Sequence, residues 1–157
     1  MNETLSFDEV LERDGQLVFT NKGVSMMPLL RADRDLMIID RKGPEPCKVN
    51  DAVLFKRYSP SGKVAYVLHR VLRVNGDGTY YIVGDNCLEG ETVQDENVIG
   101  VLSAVVRDGR TISVDDPLYQ LYVRCWAARL PLRRVCAEPR IIASRCKHGL
   151  LRALGKE

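Results

Sequence analysis

A chain of 157 residues, 45% apolar and 28% charged, has the size and composition of one globular domain with a real core. Its formal net charge of +2 is too small to mark a nucleic-acid binder, so no nucleic-acid partner is expected. The five cysteines (Cys47, Cys87, Cys125, Cys136 and Cys146) are odd in number and hold no CxxC pair, which speaks against a disulfide framework or a zinc site; no metal and no cofactor are expected.

Taken in chain order, residues 4–13 predict a short helix ended by Gly15. Short runs rich in β-branched residues follow at Gln16–Thr20, Leu36–Asp40, Ala52–Arg57, Val64–Val74, Thr79–Val83, Val98–Val106 and Thr111–Val114. Turn-forming pieces separate them: RKGPEPCKVN, SPSG, NGDG and RDGR. Residues 1–116 therefore read as a β-rich domain. The rest reads as a helical tail. Asp116 is the expected N-cap and Pro117 the first helical residue, with Pro131 ending the helix. A second helix is expected from Pro139 to a C-cap at Gly155. Leu118, Leu121, Tyr122 and Cys125 are expected to share one helical face, and Ile142, Cys146 and Leu150 to form a stripe on the second helix.

The charge is split between these parts. Residues 1–116 carry 14 basic and 19 acidic groups, whereas residues 117–157 carry 9 basic and 2 acidic. A tail of that kind either packs its apolar stripes on the β-rich core or presents a cationic amphipathic surface to anionic lipid or an acidic partner. The N-terminal MNETLSFDEVLERDG is acidic and polar rather than secretory. The longest run free of charge, Asn97 to Val106, has ten residues, against the ~20 that span a bilayer. The expected location is the cytoplasm, with contact to a membrane surface only through the tail.

Three short pieces carry the chemistry. Ser25 stands in GVSMMPLL, His69 in YVLHRV and Asp85 in YYIVGDN. A serine hydroxyl is a poor nucleophile until a base takes its proton; a histidine can do so near neutrality, and a carboxylate fixes the imidazole tautomer and stabilises the imidazolium. Taken singly, each is also an ordinary structural residue: a turn serine before a proline, a strand histidine, a Gly-Asp-Asn turn. The hairpin across NGDG bears on their proximity. A three-residue loop, Gly76-Asp77-Gly78, with Gly78 left-handed, places Asn75 opposite Thr79 and His69 opposite Asp85; a four-residue loop places His69 opposite Gly84.

In the order GVSMMPLL, YVLHRV, GDN and VIGVL, the chain resembles the type I signal peptidase family and its relatives, the LexA-like self-cleaving repressors, from about Gln16 to Val106. The resemblance implies a coiled β-sheet peptidase fold, a Ser25 nucleophile, a His69 base in place of the lysine of most bacterial members, as in the endoplasmic-reticulum and archaeal type, and Asp85 as the acidic residue. It implies an oxyanion hole resting on the Ser25 backbone N–H and a second donor. The endoplasmic-reticulum type has a further acidic residue after its GDN, a place that Glu91 or Asp95 would fill. Members also carry a membrane anchor before the nucleophile, which no segment here matches. The expected activity is serine-type endopeptidase cleavage of an extended, signal- or leader-peptide-like segment in a peptide or preprotein substrate, bound at a sheet edge. The alternatives are self-cleavage, a non-catalytic peptide-binding module that keeps the fold, and a β domain whose Ser, His and Asp are incidental. Met26 and Met27 are expected as core filler, or one of them as part of the peptide groove.

Overall fold

The first helix, α1 (Phe7–Asp14), begins where Ser6 satisfies it. The Glu9 N–H donates to Ser6 Oγ and the Ser6 N–H to Glu9 Oε2, a reciprocal cap, and Gly15 closes the helix at φ 71°. The computed structural model describes residues 5–20 and 22–131. Among the described residues eight strands follow α1: β1 (Gln16–Thr20), β2 (Leu36–Arg41), β3 (Ala52–Tyr58), β4 (Val64–Val74), β5 (Thr79–Val83), β6 (Gly90–Gln94), β7 (Val98–Arg107) and β8 (Arg110–Ser113). The protein is mainly β, as its composition and turn spacing predict. Strand β6 was not expected: Gly-Glu-Thr-Val-Gln offers only Val93 to a core, and only Val93 is buried.

All strand pairs are antiparallel, in the order β1-β2-β7-β3-β4-β5-β6, with β8 also on β7. A core cluster of Cys47, Val53, Phe55, Val71, Tyr80, Ile82, Val93 and Val98 lies under β3–β7. Two strand edges stand open among the described residues. Among the described residues β1 pairs with β2 alone, and the first half of β4, Val64 to His69, pairs with β3 while β5 meets β4 only from Arg70 onward. Phe7 of α1 stacks near Phe19 of β1 and Tyr66 of β4, each with ring centroids 4.7 Å apart, and the Tyr66 hydroxyl donates to Asp8 at 2.9 Å. Helix α1 thus joins the two edges at one end.

The hairpin β4–β5 turns as the three-residue loop requires. The Asn75 N–H donates to the Thr79 carbonyl at 2.8 Å and Gly78 has φ 77°. A β-bulge between Val71 and Arg73 then shifts the register by one, so that Arg70 faces Val83. The expected facing of His69 and Asp85 is therefore corrected: the next residues in line are His69 and Gly84.

Among the described residues, helix α2 covers 117–131, up to the Pro131 expected to end it. Asp116 caps it, accepting from the Leu118 N–H at 2.8 Å. Its buried residues are Tyr119, Val123, Trp126 and Leu130, whereas Leu118 and Leu121 are 75% and 57% exposed, so the expected apolar face of Leu118, Leu121, Tyr122 and Cys125 is not the buried one. The chain divides into two compact units, Met1–Gln120 and Leu121–Glu157. The expected second helix and its stripe of Ile142, Cys146 and Leu150 lie outside the described residues. Among the described residues no helix is long and apolar enough to cross a membrane, and Cys47, Cys87 and Cys125 are free thiols.

Candidate active site

Ser25 lies in the loop from β1 to β2, inside a run of turns. The Met27 N–H donates to the Val24 carbonyl at 3.1 Å and the Leu30 N–H to the Met26 carbonyl at 2.9 Å; the Met27–Pro28 bond is cis. Met26 and Leu30 are buried and anchor this loop, while Met27 is exposed. Met26 is thus core, and neither methionine lines the groove described below. A second loop locks the backbone at Ser25: the Asn86 N–H donates to the Ser25 carbonyl at 2.7 Å, and Asn86 Nδ2 to the Val24 carbonyl at 3.2 Å.

His69 approaches from β4, buried to 7% exposure. Gly84 is the meeting point. A Cβ built on it lies 2.7 Å from the Ser25 carbonyl oxygen, 2.9 Å from Cys87 Sγ and 3.0 Å from His69 Nε2. Only glycine leaves room for the serine loop, the imidazole and Cys87 to converge. Ser25 Oγ and the imidazole make no hydrogen bond in this arrangement. Catalytic hydrogen bonds of this kind often close only around substrate.

The third predicted residue has a different partner. Asp85 is fully buried and takes a bidentate ion pair from the equally buried Arg70, Nε to Oδ1 and Nη2 to Oδ2, both at 2.8 Å. Arg70 also donates to the Asn50 carbonyl at 2.7 Å and to the Tyr119 hydroxyl at 3.4 Å. Burial alone would lower the Arg70 pKa, but Asp85 outweighs it and the net shift is upward. The expected hydrogen bond from His69 to Asp85 is absent, because the bulge turns Arg70 rather than His69 toward that carboxylate; Asp85 reaches His69 only as a through-space charge.

The carboxylate beside the imidazole is Glu91, whose Oε1 stands 3.6 Å from His69 Nδ1. That nitrogen is buried and has no hydrogen-bond partner among the described residues. Glu91 is held instead by the fork of Arg57, with Nε donating to Oε2 at 3.0 Å and Nη2 to Oε1. Of the two acidic residues weighed for this place, Asp95 lies elsewhere, tied to Lys42 at 3.0 Å and accepting from the Tyr80 hydroxyl. The His69 pKa is lowered, chiefly by burial and further by Arg57, against the raising fields of Glu91 and Asp85. The ring is therefore neutral near pH 7, the form that accepts a proton.

Ser25, His69, Cys87, Arg57 and Glu91 open onto one groove of about 880 Å³, which continues past Leu68 and Val67 to the Phe7, Phe19 and Tyr66 rings. Glu91 and Arg57 escaped a firm assignment from sequence, Glu91 because its strand was not recognised and Arg57 because nothing near it marks a site. No group of residues suited to hold a metal ion exists among the described residues. No protein-family model matches the chain, and no curated protein and no solved structure matches it.

Proposed function

We propose that this chain is a serine endopeptidase with a signal-peptidase-like fold, hydrolysing a peptide bond in an extended signal- or leader-peptide-like segment. The observation that carries the reading is the convergence at Gly84. A loop serine and a buried neutral histidine reach one groove there, and a carboxylate stands at the far ring nitrogen of that histidine. The groove supports it, because it runs beside residues of the two strand edges left unpaired, Phe19–Thr20 and Tyr66–His69. A substrate strand laid there completes main-chain hydrogen bonds and brings its scissile carbonyl to Ser25.

In this reading Nε2 of His69 takes the Ser25 proton as Oγ attacks the carbonyl carbon. The imidazolium then passes that proton to the leaving amine, and a water, activated by the same nitrogen, hydrolyses the acyl-enzyme. The Ser25 N–H serves the oxyanion. Glu91, rather than Asp85, stabilises the imidazolium, and the Arg70–Asp85 pair holds the loop that carries Gly84.

The test is covalent labelling of the serine hydroxyl. A fluorophosphonate should label Ser25 in the native chain, and Ser25→Ala should abolish both labelling and peptide cleavage, a loss on the order of 10⁶ in rate. Cleavage by the alanine protein at the parental rate eliminates Ser25 as nucleophile. Peptide binding with neither labelling nor cleavage supports the non-catalytic module instead.

A further inference from the structure

The unpartnered Nδ1 of His69 and the grip of Arg57 on Glu91 are two halves of one observation. The Glu91 oxygen that faces Nδ1, Oε1, is the same oxygen that accepts from Arg57 Nη2. The imidazole is buried, so a missing hydrogen bond at Nδ1 is costly and is readily made good if the carboxylate comes free. The pair that withholds it is half in solvent: the Arg57 side chain is 45% exposed and that of Glu91 33%. Such pairs are individually weak and exchange partners easily. Arg57 also lines the groove, on the same wall as Glu91 and His69, with its guanidinium 5.7 Å from the Phe55 ring centre. A planar, permanently charged fork in a substrate groove is matched by a carboxylate.

Resting on the peptidase reading, we propose that Arg57 is a specificity residue for an acidic substrate. A carboxylate carried by the bound peptide takes the Arg57 fork, and Glu91, released, closes onto Nδ1 of His69. Binding of the right substrate then completes the base that cleaves it. The charged groups acting on the imidazole are Glu91 from β6, Arg57 from β3 and Asp85 from the loop after β5, and Asp85 stays committed to Arg70 throughout.

Two measurements test this. The first uses a positional library of peptide pairs that differ only in Asp against Asn. The native chain should cleave the acidic member of one pair about tenfold faster in kcat/KM, the worth of one charge-assisted hydrogen bond. Arg57→Gln should cleave the two members at equal rates, and Arg57→Lys, which keeps the charge but loses the fork, should show a reduced preference. An undiminished preference in Arg57→Gln, or none in the native chain, overturns the proposal. The second needs no turnover. In proton NMR of the full chain, which has only two histidines, Arg57→Gln should show a far-downfield Nδ1–H resonance, absent from the native chain and from the Arg57→Gln/Glu91→Gln double variant. Its absence in Arg57→Gln overturns the transfer of Glu91. A chain that is not labelled at Ser25 by a fluorophosphonate and cleaves no library member overturns the peptidase reading and the substrate half of the proposal, while the Glu91 transfer still stands or falls on that resonance.

Discussion

His69 sits among rings and strands that strip it of water, and this sets the pH response of the site. Burial lowers its pKa from the ordinary 6.5 and Glu91 opposes that shift. Since only neutral imidazole accepts the serine proton, kcat/KM should fall as pH drops through a value below 6.5 and be level above it. In Glu91→Gln the opposing field is gone, so the acid limb should move to still lower pH while kcat falls, by up to about 10⁴-fold if Glu91 holds the imidazolium as a triad carboxylate does. A rate that climbs only above pH 9 identifies a lysine base and removes His69 from the mechanism. Asp85 should behave otherwise. Asp85→Ala leaves the buried Arg70 charge without its carboxylate, a loss of about 3–5 kcal/mol of folding stability. Chemical denaturation should show that loss in Asp85→Ala, with little change in Glu91→Gln, whose carboxylate is partly exposed and meets Arg57 near solvent. Equal stability in the two variants contradicts the division of labour between the carboxylates.

At the scale of elements, the hairpin β4–β5 decides which residue meets which. The turn was legible: NGDG marks a three-residue loop with Gly78 left-handed, and the structure has both. The bulge was not, because nothing in Val71-Leu72-Arg73 distinguishes a bulged pair from continuous strand, and a one-residue slip exchanged Asp85 for Gly84 opposite His69. The strands that could be read, from Gln16–Thr20 to Thr111–Val114, are those with several apolar or β-branched residues. β6 could not, since it is an edge strand with one buried side chain, and Glu91 rides on it. Ser25 and His69 were legible as types in context; their convergence depends on close approach at Gly84, which a lone glycine in a turn does not announce. Gly84→Ala tests that approach. Its methyl would press on the Ser25 carbonyl and His69 Nε2, and displacements of about 1 Å at a reacting centre cost on the order of 10²-fold. Fluorophosphonate labelling should slow by at least that factor while the strand signature in circular dichroism stays unchanged. Normal labelling means that the two loops yield without cost.

At the scale of the whole chain, an acidic β-rich part carries the groove and a basic segment follows it. Residues 117–157 hold 9 basic and 2 acidic groups, and a basic residue near an anionic leaflet contributes about 1 kcal/mol, lost at high salt. The first residues of that segment belong with the sheet, since the Tyr119 hydroxyl meets the guanidinium of Arg70. Cutting the chain after Asp116 would therefore disturb the Arg70–Asp85 pair as well as remove the tail, and point substitutions separate the two roles more cleanly. Trp126 is buried, whereas Leu118 and Leu121 stand in solvent one turn apart. The proposal is that these leucines insert shallowly while the basic residues hold the segment on an anionic membrane surface. The full chain should then co-sediment with vesicles rich in phosphatidylserine at low salt and be released at high salt. Leu118→Glu with Leu121→Glu should weaken that binding at least tenfold, with denaturation midpoint and Ser25 labelling unchanged, because neither side chain is packed. If the native chain ignores such vesicles at low salt, or the double variant binds them as well as the parent, the segment is not a membrane contact and the groove must meet its substrate in solution.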